Sequence, residues 1–140
     1  MQTQYLPISK PLRTLSVYLP YVVNKMPLFY KKNYGEKMIS LCSDMFAYVD
    51  LANREEVLSK RKGLLKTLNH KISLFSNELR VLTELTNRGN LIIDKTAGIE
   101  VDLKDSPVPL TLKQISYISL LLDDISKQAF GWMKNTASEK

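Results

Sequence analysis

The 140-residue chain of 16.0 kDa has the length of one domain, and its 44% hydrophobic and 24% charged residues are typical of a folded protein. It contains no apolar run of the roughly 18 residues that a membrane-spanning helix needs, and its N-terminus lacks the pattern of a signal peptide, so we expect a cytoplasmic protein that makes no contact with a membrane. One cysteine and one histidine exclude an internal disulfide and the usual zinc sites.

The formal charge of +6 is concentrated in the first half of the chain. Residues 1–72 contain 12 Lys and Arg against five Asp and Glu, whereas residues 73–140 contain eight against nine. A basic half joined to a near-neutral half is typical of a protein that binds a polyanion or an acidic partner. The alternative is that the lysines only keep helix surfaces soluble, and for any single lysine this alternative is the simpler one.

The first predicted helix runs from Leu12 to Met26, and residues 1–11 are expected to form a loose arm. The apolar residues of the helix recur at steps of three and four, which is the spacing of one helix face. This face comprises Leu12, Leu15, Leu19, Val22, Val23 and Met26. Pro20 predicts a kink or a restart inside the helix, and Pro27 ends it.

The second predicted helix begins near Asn33, because Asn33 and Glu36 have the spacing of a capping box, and it ends near Asn53. Its predicted core face comprises Met38, Leu41, Cys42, Met45, Phe46 and Val49. Because Cys42 falls on this face, we interpret it as a small buried hydrophobic residue and not as a nucleophile.

The third predicted helix is the longest, and it ends at Arg88–Gly89, a favourable C-terminal cap. Its core face comprises Leu58, Arg61, Leu65, Leu68, Ile72, Phe75, Leu79 and Leu82. Arg61 is the polar member of this face, and it lies near the helix start, where its head can reach water. His70 lies at the edge of the face, so we expect a surface histidine.

Residues 90–109 have a different pattern from the helices. Alternating residues around the turn-rich stretch 94–98 predict a short β-hairpin or an ordered loop packed on the bundle. The fourth helix begins with a Thr111–Gln114 capping box, and residues 135–140 are expected to fray as a tail. The core face of this helix comprises Ile115, Ile118, Leu122, Ile125, Ala129, Trp132 and Met133.

Four amphipathic helices predict an all-α fold, namely an antiparallel four-helix bundle of one domain, residues 1–140, with a hairpin-like insertion between helices 3 and 4. No sequence pattern for catalysis accompanies it. The sequence lacks a phosphate-binding or dinucleotide-binding glycine loop and the Glu-x-x-His pattern of di-iron bundles. His70 has no obvious nucleophile or orienting acid, and the adjacent Asp123 and Asp124 point in different directions. We therefore expect no enzymatic activity, no cofactor and no metal site.

The basic residues of the third helix are grouped by flank. Lys62 and Lys66 lie one turn apart, and Arg80 lies on nearly the same flank. Lys60 and Lys71 lie on the opposite flank. Like charges at this spacing destabilise an isolated helix slightly, so another role, such as phosphate binding, is a candidate reason for them.

A second basic stretch lies between helices 1 and 2, where Lys31 and Lys32 follow Phe29 and Tyr30. Proteins that bind single-stranded nucleic acid combine positive charges with aromatic side chains in this way. The alternative, solvated lysines beside core aromatics, explains this stretch equally well.

Several segments of the sequence resemble a family of small bacterial four-helix-bundle proteins. The centre of the fourth helix, Leu121 to Ile125, is similar to a Leu-Leu-Asp-Glu-Ile-like motif, and Gly131-Trp132 matches a Gly-Trp near the end of the family's closing helix. Residues 78–82 of the third helix look like a Leu-Arg-x-Leu pattern. One branch of the family is encoded in intervening sequences of ribosomal RNA genes, and the other comprises the accessory variability determinant (Avd) proteins of diversity-generating retroelements.

The first half of the chain resembles the Avd branch. Residues 17–21, Lys25 to Pro27, and the basic turn into Gly35 to Met38 are similar to the opening of Avd proteins. The resemblance covers about residues 12–88 and 110–134, whereas the insertion at 90–109 is longer than the family's usual loop.

The resemblance implies a non-enzymatic protein that binds a reverse transcriptase and nucleic acid, either template RNA or cDNA, during mutagenic retrohoming, and that assembles as a homopentamer. The intervening-sequence branch implies instead an interaction protein whose partner is unknown. Charge and helix geometry, without a family motif, predict the nucleic-acid or partner site: Lys31, Lys32, Lys37, Lys60, Arg61, Lys62, Lys66, Lys71 and Arg80.

Overall fold

Four long helices and one small hairpin follow one another along the chain. The computed structural model describes residues 6–87, 91–94, 96–102 and 107–137. The helices are α1 (Ser9–Asn24), α2 (Glu36–Arg54), α3 (Leu58–Asn87) and α4 (Leu112–Ala137). Between α3 and α4, strands β1 (Leu91–Asp94) and β2 (Ile99–Asp102) pair antiparallel, with Leu91 opposite Asp102.

The helices pack as a ring of neighbours, in which α1 and α3 each contact both α2 and α4. The ammonium of Lys71 on α3 lies 3.2 Å from a carboxylate oxygen of Asp44 near the middle of α2. On its other flank, the amide of Asn69 lies 3.7 Å from the sulfur of Met133 near the end of α4. These contacts and the short α2–α3 connection fit antiparallel neighbours, so the predicted four-helix bundle is confirmed.

The core of the bundle is formed by the apolar faces that the sequence predicts. Its largest fully buried side chains are Phe75, Leu12, Leu15, Leu19, Met38, Met45, Leu65, Leu68, Leu82, Ile118, Ile125 and Val22. Each of these large apolar side chains contributes about 1.5–3 kcal/mol on burial, which exceeds what helix propensity alone supplies. Leu58, Leu41, Phe46, Trp132 and Met133 were predicted on the same faces and are half-buried at their edges.

The first helix begins earlier than predicted, at Ser9. Ile8, Ser9 and Pro11 are buried, so the prediction of a loose arm is wrong for residues 8–11, while residues 1–5 lie outside the described part. Proline fits the first turn of a helix because the N–H groups there have no partner within the helix. The helix also continues through Pro20 without a restart.

The second helical segment also begins earlier than predicted. A helical turn at Leu28–Tyr30 and a π-helical stretch at Lys31–Gly35 lead directly into α2. The Asn33 side-chain amide donates to the carbonyl of Phe29 at 2.8 Å, and so does not cap a helix start. The predicted capping box at Asn33 and Glu36 is therefore wrong, because the extended backbone of Pro27 sets the start instead.

The fourth helix begins as predicted and ends later. The Thr111 N–H donates to the Gln114 side-chain oxygen at 2.9 Å, and the Gln114 N–H donates to the Thr111 hydroxyl at 3.1 Å, which confirms the capping box. The helix continues to Ala137 with Thr136 buried, so the prediction of a fraying tail is wrong for residues 135–137.

The hairpin is confirmed by β1 and β2, and Gly98 in its turn has a φ of +69°, which favours glycine. The predicted Arg88–Gly89 cap and residues 138–140 lie outside the described part. Within the described residues, none of the helices combines the length and apolarity needed to cross a bilayer.

Candidate nucleic-acid interface

The connection between α1 and α2 presents an exposed aromatic ring. Phe29 is 66% exposed and Leu28 is 65% exposed, although both lie on a helical turn. The Phe29 ring meets the Tyr30 ring edge to face, with centroids 5.6 Å apart. Tyr30 and Tyr34 are half-buried against the core, so they link the exposed ring to the bundle.

Four lysines lie on or beside the segment that carries this aromatic ring. The Lys25 ammonium donates to the Tyr21 hydroxyl at 2.6 Å and lies 4.2 Å from that ring's centroid. The Lys31 ammonium donates to the side-chain oxygen of Asn24 at 3.4 Å. Lys32 is exposed and has no acidic partner among the described residues. We name Lys25, Lys31, Lys32, Lys37 and Phe29 the connection cluster.

The α2–α3 connection places a second group of bases at the start of α3. Lys60 and Lys66 are exposed and Lys62 is half-buried, and within the described part of the chain none of them pairs with a carboxylate. We name these three residues the α3 cluster. Arg61 points elsewhere, because its Nε and Nη2 donate to the backbone carbonyl of Glu55 at 3.0 and 2.6 Å. Its guanidinium therefore closes the turn after α2.

The remaining predicted bases are Lys71 and Arg80. Lys71 is half-buried and paired with Asp44, so part of its charge is neutralised within the bundle. Arg80 is exposed on the last third of α3. Lys71 contacts α2, whereas Asn69 contacts α4, so the two flanks of α3 face different helices. Lys62 lies seven residues, or about two helical turns, before Asn69, and therefore lies on the α4 flank. The predicted division into two flanks thus agrees with the packing.

The nine predicted residues do not form one site. Because α2 and α3 are antiparallel and Asp44 lies level with Lys71, Lys37 and Lys60 lie about 27 Å apart along the bundle, at about 1.5 Å per residue. Lys31, Lys32, Lys37 and Arg80 share one end, and the α3 cluster occupies the other. The structure therefore shows two basic groups, with Lys71 between them.

Two features of this surface were missed in the sequence. Lys25 was left out of the predicted site, although its spacing of four residues from Tyr21 is typical of side chains that meet on a helix. An exposed groove of about 610 Å³ between α1 and α4 was also missed, because it depends on a contact between helices. Its lining includes the edge-to-face pair Tyr18 and Tyr117, with centroids 4.8 Å apart. The groove is lined by Arg13, Thr14, Val17, Tyr18, Tyr21 and Tyr117.

The cysteine and the histidine, which are the side chains best suited to nucleophilic or acid–base chemistry, lie outside the two basic groups. Cys42 is buried beside the Ser16 hydroxyl, with 3.5 Å between sulfur and oxygen. Burial raises the pKa of the Cys42 thiol, and the Ser16 hydrogen bond offsets this only partly, so the thiol is neutral at neutral pH. His70 is exposed, as predicted. No group of three or more His, Cys, Asp or Glu within the described residues is placed to hold a metal ion.

The arrangement can bind a polyanion by charge and can offer an aromatic surface beside that charge. No protein-family model, curated protein or solved structure matches the chain significantly.

Proposed function

We propose that this protein is a non-enzymatic accessory subunit of a diversity-generating retroelement, which binds the reverse transcriptase and nucleic acid during mutagenic retrohoming. The nucleic acid is the template RNA or its cDNA, and the basic surface of the first three helices holds it. The resemblance of residues 12–88 and 110–134 to Avd proteins supports a role in a diversity-generating retroelement, and it also supports assembly as a homopentamer. The bundle fold agrees with that resemblance.

One observation carries the nucleic-acid part of the proposal. The excess positive charge lies on lysines that have no carboxylate partner among the described residues. Lys32, Lys37, Lys60 and Lys66 are exposed, and Lys62 is half-buried. Unpaired lysines release condensed counterions when they meet phosphates, which makes binding favourable and dependent on salt. A protein that used lysines only for solubility would gain as much from lysines spread over all four helices.

The exposed groove between α1 and α4 supports a protein partner. Val17 is 77% exposed in this groove, and Tyr21 and Tyr117 are exposed beside it. Apolar and aromatic surface of this kind is typical of binding sites between proteins. We propose that a second copy of the chain covers it.

The binding test compares two variants of equal charge. Lys62→Glu with Lys66→Glu alters the α3 cluster, and Lys113→Glu with Lys127→Glu alters exposed lysines of α4. Each pair of reversals lowers the net charge from +6 to +2, because two lysines become two acids. We expect the first variant to lose RNA retention at low salt and to lower the log–log salt slope by about 2 or more, while the second retains most of its binding.

Equal losses in the two variants would show that only net charge matters, and would contradict a site on α3. Circular dichroism of both variants checks that the bundle is intact.

The cellular setting is tested by genomic context and co-purification. A reverse transcriptase gene and a pair of near-identical repeats beside this gene are expected, and the protein should co-purify with that reverse transcriptase. If neither is found, the alternative is favoured, which is an interaction protein of the ribosomal intervening-sequence type. The two alternatives differ in partner and share the fold.

A further inference from the structure

We infer that the connection cluster holds single-stranded nucleic acid, with the Phe29 ring stacked on a base and the surrounding lysines on the neighbouring phosphates. The inference rests on the proposed function, and it adds the form of the nucleic acid and the residue that contacts a base.

Phe29 contributes little to the core in the free protein. About two-thirds of its surface faces solvent, and its ring contact in the structure is with Tyr30. An exposed phenylalanine forgoes most of the stabilisation that its burial would give. Such a ring is available to a planar partner, and every nucleobase offers a flat face to it.

The backbone fixes the position of this ring. The Asn33 amide donates to the Phe29 carbonyl at 2.8 Å, and the Lys31 N–H donates to the Pro27 carbonyl at 2.9 Å. The turn ends at Gly35, which is buried against Val23. The ring is therefore held on a braced helical segment, so stacking on it costs little ordering of the chain.

The charges beside the ring suit a nucleic-acid strand. Lys32 lies three residues after Phe29 on the same helical run, so the two side chains are neighbours on its surface. Lys25 and Lys31 are held by Tyr21 and Asn24 at the end of α1. Residues 25–37 contain four lysines and one acid, Glu36. An exposed aromatic ring on a segment rich in lysines matches a strand in which bases alternate with phosphates.

A single strand fits this site better than a duplex or a membrane. In a duplex the base faces are already stacked on one another, so an exposed ring reaches only edges and backbone, whereas an unpaired base can stack on it. A membrane would contact Leu28 and Phe29 at one end of the bundle, but it would leave out the α3 cluster, whose Lys60 lies about 27 Å from Lys37 along the bundle. A flexible strand can reach both basic groups.

The experiment measures binding of labelled oligo(dT), oligo(rU) and a DNA duplex of the same length, by fluorescence anisotropy at one low salt concentration. The variant is Phe29→Ala. Its matched control is Phe130→Ala, because Phe130 is 60% exposed on α4 and lies near Lys127 and Lys134 on that helix. Phe29→Tyr keeps a stacking ring.

We expect Phe29→Ala to weaken binding of both single strands by about 5- to 100-fold and to leave duplex binding within about twofold. Phe29→Tyr and Phe130→Ala should bind like the unmodified protein. Since Phe29 is exposed, the variant should unfold at the same denaturant concentration as its parent.

The outcomes separate this inference from the proposed function. If the protein binds oligonucleotides but Phe29→Ala has no effect, or weakens duplex equally, the stacking site is wrong and the nucleic-acid function stands. If neither single strands nor duplex bind at low salt, both the stacking site and the nucleic-acid function are wrong. Binding to anionic phospholipid vesicles that requires Phe29, without binding to oligonucleotides, would also overturn the inference and would identify a membrane site.

Discussion

At the scale of single residues, Gly35 controls how closely the turn before α2 approaches α1. A Cβ atom on Gly35 would lie 2.6 Å from one methyl of Val23 and 3.2 Å from the other, with the Met26 sulfur at 3.3 Å. Real side chains do not approach so closely, so any other residue would push the two segments apart. The requirement is for space, since the backbone at Gly35 is helical.

This contact predicts that Gly35→Ala destabilises the protein. We expect a loss of about 1–3 kcal/mol in the free energy of unfolding, because overpacking a tight site strains the backbone. Urea denaturation followed by circular dichroism measures it. Gly63→Ala is the control, because the structure places no described heavy atom within 4 Å of a Cβ there and the residue lies inside α3.

The control should gain about 0.5–1 kcal/mol, since alanine favours a helix more than glycine does. If Gly35→Ala were as stable as its parent, the close approach of the two segments would be wrong.

Arg61 shows what single positions in a sequence do not reveal. The sequence places it on the core face of α3 and among the candidate bases, and both assignments follow from spacing and charge. Its actual role depends on the backbone of Glu55, which ends α2 with an extended conformation and leaves a carbonyl for the guanidinium. The position of the Glu55 carbonyl follows from the packing of α2 against α3, and a local sequence pattern does not encode such packing.

At the scale of elements, two predicted capping boxes have opposite outcomes. Thr111 and Gln114 exchange both hydrogen bonds of the motif, whereas Asn33 donates to a carbonyl inside a helix that began five residues earlier. The motifs look alike in sequence, but Pro27 already supplies a helix start upstream of Asn33. A capping motif thus predicts a helix start only where the preceding residues are not themselves helical.

The difference predicts the effect of removing each polar side chain. Thr111→Ala should lower the free energy of unfolding by about 0.5–2 kcal/mol, because the Gln114 N–H loses its acceptor. Asn33→Ala should change it by less than about 0.5 kcal/mol, because it removes an exposed hydrogen bond within the turn. Parallel thermal and urea unfolding of the two variants measures this, and a larger loss for Asn33→Ala would contradict the early helix start.

The core faces of all four helices could be predicted because their periodicity reports burial directly. The hairpin could be predicted because its strands alternate around a glycine turn. The π-helical stretch could not be predicted, because no pattern in the sequence distinguishes it from the start of an α-helix. Helix starts were the weakest part of the prediction, since residues 8–11 were assigned to a loose arm although Pro11 fits the first turn of α1, and Asn33 was interpreted as a cap.

At the scale of the whole molecule, the basic charge forms two groups at opposite ends of the bundle. The sequence predicted most of their members, without Lys25, and it did not predict their separation, because separation depends on which residues of antiparallel helices lie level. The contact between Lys71 and Asp44 sets that level. Two basic ends about 27 Å apart suit a long polyanion better than a small one.

The proposed assembly is tested at the same scale. Light scattering at micromolar concentration is expected to give a mass five times the 16.0 kDa of the chain. Assembly would cover exposed apolar side chains such as Val17 and Leu120, which otherwise lose hydrophobic stabilisation to water. A mass of one chain under these conditions would remove the pentamer from the proposal.

The position of Trp132 makes one end of the molecule optically distinct. It is the single tryptophan of the chain, and it lines a cavity with Leu6, Asn53 and Arg61 at the end that carries the α3 cluster. Six of the seven tyrosines, by contrast, lie on α1, α2, α4 and the connection. Selective excitation of tryptophan therefore gives a signal from one end alone, and ligand events at the end with the α3 cluster can be followed in the unlabelled protein.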